Sequence, residues 1–200
     1  MTRLGILISG RGSNFEAIAF NITARKLDAR IAVVISNRAD ARGLEKAKAH
    51  GIPAVCIPSK GVPREEYDLR VAAELKRCEV DLVCMAGYMR LLTPAFIREF
   101  PMRVLNIHPS LLPSFPGLDA QEQALKHGVK VSGCTVHFVD EDLDAGPIIL
   151  QAAVPVADND TADTLAARIL REEHRIYSEA IALVALGKYR VIGRRVIRTD

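Results

Sequence analysis

The sequence predicts an α/β fold: an open, twisted, mostly parallel sheet with helices on both faces and an antiparallel addition near the C-terminus. Three observations predict it. Short apolar runs alternate with helix-length amphipathic segments from Leu4 to His108. The last of these runs stops abruptly at Pro109, which has no N–H to extend a sheet interior. After Gly117 two longer strand segments flank one acidic turn, the pattern of an antiparallel pair.

The elements follow in order. Leu4–Ser9 is a buried strand, and Gly10-Arg11-Gly12-Ser13-Asn14 leads into a helix from about Phe15 to Ala24. Arg30–Asn37 is a second strand. Ala39–His50 is a helix ended by Gly51-Ile52-Pro53. Ala54–Ile57 is a third strand, and Pro58–Pro63 is a polar loop. In Arg64–Cys78, Tyr67, Val71 and Leu75 recur at helical spacing. Asp81–Ala86 is a fourth strand. Gly87 to Leu92 leaves its C-terminal end, and Thr93-Pro94 starts a helix. Val104, Leu105 and Ile107 suit a fifth strand. Leu118–His127 is a helix closed by Gly128. Val129–Val139 and Pro147–Val156 are the antiparallel pair. Thr161 to about Leu186 is one long helix, capped by Asp160 or Thr161. Arg190–Ile192 and Val196–Arg198 flank Gly193 as a terminal hairpin. No repeat or linker interrupts residues 1–200, so one domain is expected.

Composition narrows the class. Of 200 residues, 49% are hydrophobic and 26% charged, as in ordinary globular domains. A net charge of +3 is too mild to argue for nucleic acid, and it suits a local site for a small anion. Cys56, Cys78, Cys84 and Cys134 form no C-x-x-C pair. Free thiols in a reducing compartment are expected, and a zinc site is not. No apolar segment is long enough to span a bilayer, and Met1-Thr2-Arg3-Leu4 runs straight into a strand. A cytoplasmic protein with no membrane partner is expected.

Four stretches carry chemistry. Asn106 and His108 are two apart on a strand, so both side chains leave the same face at its C-terminal end. In open α/β sheets that edge binds ligands. Gly10 to Asn14 joins a strand to a helix N-terminus, where free N–H groups and the helix dipole attract an anion. It matches neither dinucleotide nor triphosphate fingerprints, so a single phosphate is the simplest guest. A plain turn capped by Ser13 or Asn14 accounts for this stretch equally well. In the turn Glu141 to Gly146, Asp144 stands apart because Ala145-Gly146-Pro147 start the next strand tightly. On the last helix, the apolar stripe through Leu165, Ile169, Ile176 or Tyr177, and Ala180 takes in Glu173, or Glu172 by the alternative spacing. An inward carboxylate needs partners or a ligand.

The stretches Ile8 to Asn14, Asn106 to Pro113 with Phe115-Pro116-Gly117, and Gly133 to His137 through Asp144 to Ile148 resemble the phosphoribosylglycinamide formyltransferases. The resemblance runs in the same order over essentially the whole chain. It implies a Rossmann-like formyltransferase fold, and formyl transfer from 10-formyltetrahydrofolate to the amine of glycinamide ribonucleotide in purine biosynthesis. By the resemblance Asn106, His108 and Asp144 are catalytic. Gly12, Ser13 and Asn14 hold the substrate phosphate, and Glu173 meets its ribose. Arg64, Met89, Arg90, Leu91 and Leu92, with Asn106, line the folate site. Asp119-Ala120-Gln121 departs from the histidine or threonine of many relatives.

The chemistry fits the residue types. A neutral amine attacks the formyl carbon, and an oxyanion develops. Asn106 can donate to that oxygen. A protonated His108 can donate as well and then pass a proton to the leaving amine. A carboxylate at Asp144 stabilises the imidazolium. No metal is needed, because the formyl group is already activated. The expected ligands are glycinamide ribonucleotide and a reduced folate, with the chain a monomer or homodimer. Two other readings remain. A 10-formyltetrahydrofolate hydrolase uses the same triad with water, but is expected to carry a regulatory domain that is not expected here. A non-catalytic module binding a phosphate ligand needs only the glycine loop.

Overall fold

The computed structural model describes residues 1–199, which divide into two compact units, Met1–Asn106 and the residues from Ile107 onward. The first unit holds β1 (Thr2–Ile8), α1 (Ser13–Thr23), β2 (Ala29–Ser36), α2 (Arg42–Ala49), β3 (Ala54–Cys56), α3 (Arg64–Arg77), β4 (Leu82–Met85) and α4 (Pro94–Glu99). It also holds the start of β5 (Val104–His108), which runs across the boundary. Its strands are all parallel in the order β3-β2-β1-β4-β5.

This order explains the sequence pattern. β1 is the middle strand, so Leu4, Ile6, Leu7 and Ile8 are all fully buried. Burial on both faces requires a continuous apolar run and not alternation. Each such side chain contributes roughly 1.5–3 kcal/mol of hydrophobic stabilisation. The chain leaves β1 toward β2 and β3, then returns past β1 to β4 and β5. Right-handed crossovers in opposite directions put α1 and α2 on one face and α3 and α4 on the other. The neighbouring pairs α1–α2 and α3–α4 agree with this. The strand order therefore reverses between β1 and β4, and the loops after these two strands flank the switch point.

The second unit holds the end of β5, then α5 (Ala120–His127), β6 (Val131–Phe138), β7 (Ile148–Pro155), α6 (Ala162–Ala185), β8 (Tyr189–Ile192) and β9 (Arg195–Arg198). β6 and β7 are antiparallel, β9 adds parallel to β7, and β8 pairs back on β9. α6 packs on β6 and β7. Thr161 caps it with a reciprocal pair: Thr164 N donates to Thr161 Oγ1 at 3.2 Å, and Thr161 N to Thr164 Oγ1 at 2.9 Å. The mostly parallel α/β architecture and the antiparallel C-terminal strands are as predicted, and most boundaries shift by one to three residues. Among the described residues no helix is long and apolar enough to cross a membrane.

Candidate active site

The glycine loop is built by close backbone packing. Gly12 lies in the left-handed region at φ 73° and forms the N-cap of α1 without any side-chain cap. A Cβ there would stand 3.0 Å from the Gly43 Cα, a backbone atom that cannot yield cheaply. Gly43 N donates to Gly10 O at 3.0 Å, tying the loop to the start of α2. Ser13 is half-buried and Asn14 buried at the first turn of α1. No side chain caps α1, so neither Ser13 nor Asn14 is the helix cap of the plain-turn alternative. The first N–H groups of the helix are those an anion requires.

The segment after β4 is held from α3. Arg64, the first residue of α3, donates Nε to Leu91 O at 2.9 Å and Nη2 to Leu92 O at 3.4 Å. One turn later the buried Asp68 accepts from Thr93 N at 2.7 Å. Between them the Tyr67 ring carries the Arg90 guanidinium 4.5 Å from its centroid. Tyr88 donates its hydroxyl to Tyr67 at 3.1 Å, and burial pushes both phenols above their ordinary range. Met89 and Leu91 are left exposed, at 67% and 50%, whereas Leu92 is buried. A backbone pinned at Leu91, Leu92 and Thr93 can hold two large apolar side chains in water, ready for an apolar ligand.

In the second unit β5 ends on His108, buried at 4% exposure. Its Nδ1 lies 3.4 Å from Asp144 Oδ2, and its Nε2 lies 2.9 Å from the Phe115 carbonyl oxygen. Both ring nitrogens face acceptors, so a ring carrying two N–H groups satisfies both. Asp144 Oδ2 also accepts from Gly117 N at 2.9 Å. Asp144 itself has φ 50°, a conformation that short polar side chains tolerate best. Its turn is drawn in at Gly146, where a Cβ would fall 1.8 Å from Phe138 O. Asn106, half-buried, sits two residues before His108 on β5 and pairs with Met85 of β4.

Further side chains of the second unit surround this pair. His137 Nδ1 is 2.8 Å from Phe138 O and its Nε2 3.7 Å from Asp144 Oδ1. Burial lowers the His137 imidazole below its ordinary value, outweighing the carbonyl bond and the Asp144 carboxylate. The neutral ring donates through Nδ1, because a carbonyl can only accept. Thr135 Oγ1 donates to Ser110 O at 2.7 Å and accepts from Leu112 N at 3.0 Å. Gln151 Nε2 donates to both Leu112 O and Thr135 Oγ1 at 2.9 Å. These bonds pin the proline loop that follows His108. On α6, Glu173 is buried at 7% exposure, whereas Glu172 turns outward to Arg175 at 2.6 Å. Periodicity left the two glutamates open, and packing chooses Glu173. Burial and the Glu173 carboxylate push the buried Cys134 thiol up to about 12.

Of the residues singled out in the sequence, the structure brings His108 together with Asp144, and Arg64 with Leu91 and Leu92. Gln151 and Asp68 carried no such signal, Tyr67 was legible only as an inward position of α3, and Thr135 only as part of a motif; their polar partners were not legible. Their partners lie 16 to 39 residues away in sequence, as with Gln151 to Thr135 and to Leu112, and local spacing cannot report that.

A sequence model described as formyl transferase matches residues 2–181. The chain is 49% identical over 191 residues to the trifunctional purine biosynthetic protein adenosine-3 of Drosophila pseudoobscura pseudoobscura, covering 94% of this chain but 14% of that protein. It is 44% identical over 187 residues to the phosphoribosylglycinamide formyltransferase of Escherichia coli (strain K12), covering 93% of this chain and 88% of that one. The crystal structure of glycinamide ribonucleotide transformylase 1 from Symbiobacterium toebii superposes with a TM-score of 0.98 at 55% identity, covering 100% of this chain and 95% of that one. A formyltetrahydrofolate deformylase from Pseudomonas syringae pv. tomato is more distant in sequence. It has 30% identity and a TM-score of 0.92, and this chain covers 66% of its length.

Proposed function

This chain belongs to the formyl transferase family, and we infer that it transfers the formyl group of 10-formyltetrahydrofolate to the amine of 5-phosphoribosylglycinamide, a step of purine biosynthesis. Both units serve one formyltransferase domain. The observation that carries the reading is the buried His108–Asp144 pair at the end of β5. It offers an acid and the carboxylate that steadies it, in a place where water competes little.

The roles follow from residue chemistry. The substrate phosphate takes the N–H groups of Gly12, Ser13 and Asn14, and Glu173 accepts from its ribose hydroxyls. The folate lies along Met89, Arg90, Leu91 and Leu92, with Arg64 holding that backbone. The amine nitrogen bonds to the formyl carbon, and the carbonyl oxygen becomes an oxyanion. Asn106 and the His108 N–H donate to it. The C–N bond to the folate then breaks as its nitrogen takes up a proton. His108 supplies that proton, and the proton lost by the attacking amine restores it through Asp144 or water. The Phe115 carbonyl holds the His108 Nε2–H in place until substrate displaces it.

An absorbance assay of folate deformylation tests this, run with and without glycinamide ribonucleotide. Transfer requires turnover that depends on the ribonucleotide and yields the formylated product. Equal turnover without it would make the chain a hydrolase. Binding of the ribonucleotide with no turnover at all would make it a binding module.

A further inference from the structure

We propose that Ser9 is a positioning residue that ties the glycine loop to the segment after β4, so that ligand on one strengthens ligand on the other. This rests on the assignment of those two segments to ribonucleotide and folate. Ser9 is the last residue before Gly10 and is buried at 5% exposure. Three loops meet on it. Its N–H donates to Gly87 O at 3.0 Å. Its Oγ accepts from Met89 N at 2.8 Å and donates to Asn37 Oδ1 at 2.6 Å. The chain thus joins the exits of β1, β2 and β4 through one residue.

A hydroxyl has one hydrogen, and here it is committed to Asn37. The lone pair that faces Met89 is thereby fixed in direction. Any shift of Ser9 must break one of these bonds or carry Met89 with it. Met89 opens the exposed run that ends at the carbonyls clasped by Arg64. On its other side Ser9 runs covalently into Gly10, which Gly43 N holds at 3.0 Å, and then into the left-handed Gly12 packed on the Gly43 backbone. An anion that orders the N–H groups of residues 12–14 therefore restricts Ser9, and Ser9 restricts Met89. Ordering that has already been met by the first ligand need not be met again by the second. Such coupling is reciprocal: each ligand changes the affinity of the other by the same factor. A serine that merely satisfies buried hydrogen bonds would contribute to stability and transmit nothing.

Calorimetry on the full chain separates the two. The dissociation constant of glycinamide ribonucleotide is measured alone and with saturating tetrahydrofolate, which lacks the formyl group and cannot react. The folate is then titrated with and without ribonucleotide. For the wild type each ligand tightens the other about fivefold or more, within the usual range of coupling. In Ser9→Ala the ratio falls to about one in both directions, and both separate affinities weaken. Asn37→Asp retains an acceptor for the Ser9 hydrogen and keeps the wild-type ratio, whereas Asn37→Ala lowers it. Amide exchange at Met89 becomes about tenfold faster in Ser9→Ala and, unlike wild type, does not slow on adding the ribonucleotide. A wild-type ratio of one overturns the coupling and leaves the assigned reaction standing. So does a wild-type ratio that survives both Ser9→Ala and Asn37→Ala. A wild-type chain that binds neither ligand overturns the assigned reaction and the coupling with it.

Discussion

Asp144 and His108 should behave as a unit, and the geometry sets how much. Their nearest atoms are 3.4 Å apart, with side chains 10% and 6% exposed. At an effective dielectric of about 20, full charges at that distance attract by roughly 5 kcal/mol. Desolvation of both groups offsets part of this, leaving a net coupling of about 2–3 kcal/mol. Asp144→Asn removes the charge and keeps the shape. Gly117 N retains an oxygen acceptor, so the turn stays closed and Tm moves little. The expected loss in kcat is roughly 30- to 150-fold, from about tenfold for each 1.36 kcal/mol. In a His108→Ala background the carboxylate has no imidazolium to steady, and the same substitution costs less than about threefold. The assay is single-turnover formyl transfer at saturating substrates, for wild type, both single variants and the double variant. If the two losses multiply in full, Asp144 does not act through His108, and the pair is a structural contact.

Other expectations can be measured alongside. Gly12→Val places a β-branched residue at φ 73° with its Cβ against the Gly43 backbone, so the KM for ribonucleotide rises at least tenfold, with a drop in Tm of several degrees. Ser13→Ala leaves the main-chain N–H groups in place and changes that KM by only about twofold, so equal effects of the two would refute backbone recognition. Arg64→Ala frees the Leu91 and Leu92 carbonyls and raises KM for the formyl donor by about tenfold, with the ribonucleotide KM unchanged; the reverse pattern would remove Arg64 from the folate side. Asn106→Ala lowers kcat on the order of 10²-fold if its amide meets the oxyanion, and a purely KM effect would exclude that. His137 is held neutral by burial, so below about pH 6.5 the unfolded chain binds a proton that the folded chain refuses, and stability falls as pH drops through that window. Thermal melts should show a smaller acid loss in His137→Gln, and an unchanged pH slope would contradict a buried neutral ring.

Residues near one another in sequence made much of this protein legible. Leu4 to Ile8 read as a buried strand because no polar residue interrupts it, and all but Gly5 of that run are apolar side chains at zero exposure. Tyr67, Val71 and Leu75 announced the inner face of α3 and are buried at 0%, 1% and 0%. Asp160-Thr161 announced the start of α6, and of the two Thr161 is the cap, with its capping pair present. That Asn106 and His108 share one face at a strand's C-terminal end was legible because a strand has a period of two and Pro109 ends it. Each of these signals spans a few residues, and backbone geometry repeats on that scale.

The tertiary structure decided what depends on distant partners. A helix with 3.6 residues per turn cannot say whether Glu172 or Glu173 faces inward; the packing of α6 on β6 and β7 does. The tight Ala145-Gly146-Pro147 start set Asp144 apart in its acidic turn, but only the fold shows its neighbour: Gly146 draws that turn against Phe138, and the Asp144 oxygen stands beside His108. Arg64 was read as lining the folate site; that its guanidinium meets the Leu91 and Leu92 carbonyls, 27 and 28 residues away, no local spacing reports. Ser9 was only the end of an apolar run. Its hydroxyl joins residues 28 and 80 positions away, and those bonds exist only because β1 lies between β2 and β4. Periodicity determines which face of an element is apolar; which buried polar atoms meet across elements is set by strand order and packing, and no local pattern encodes it.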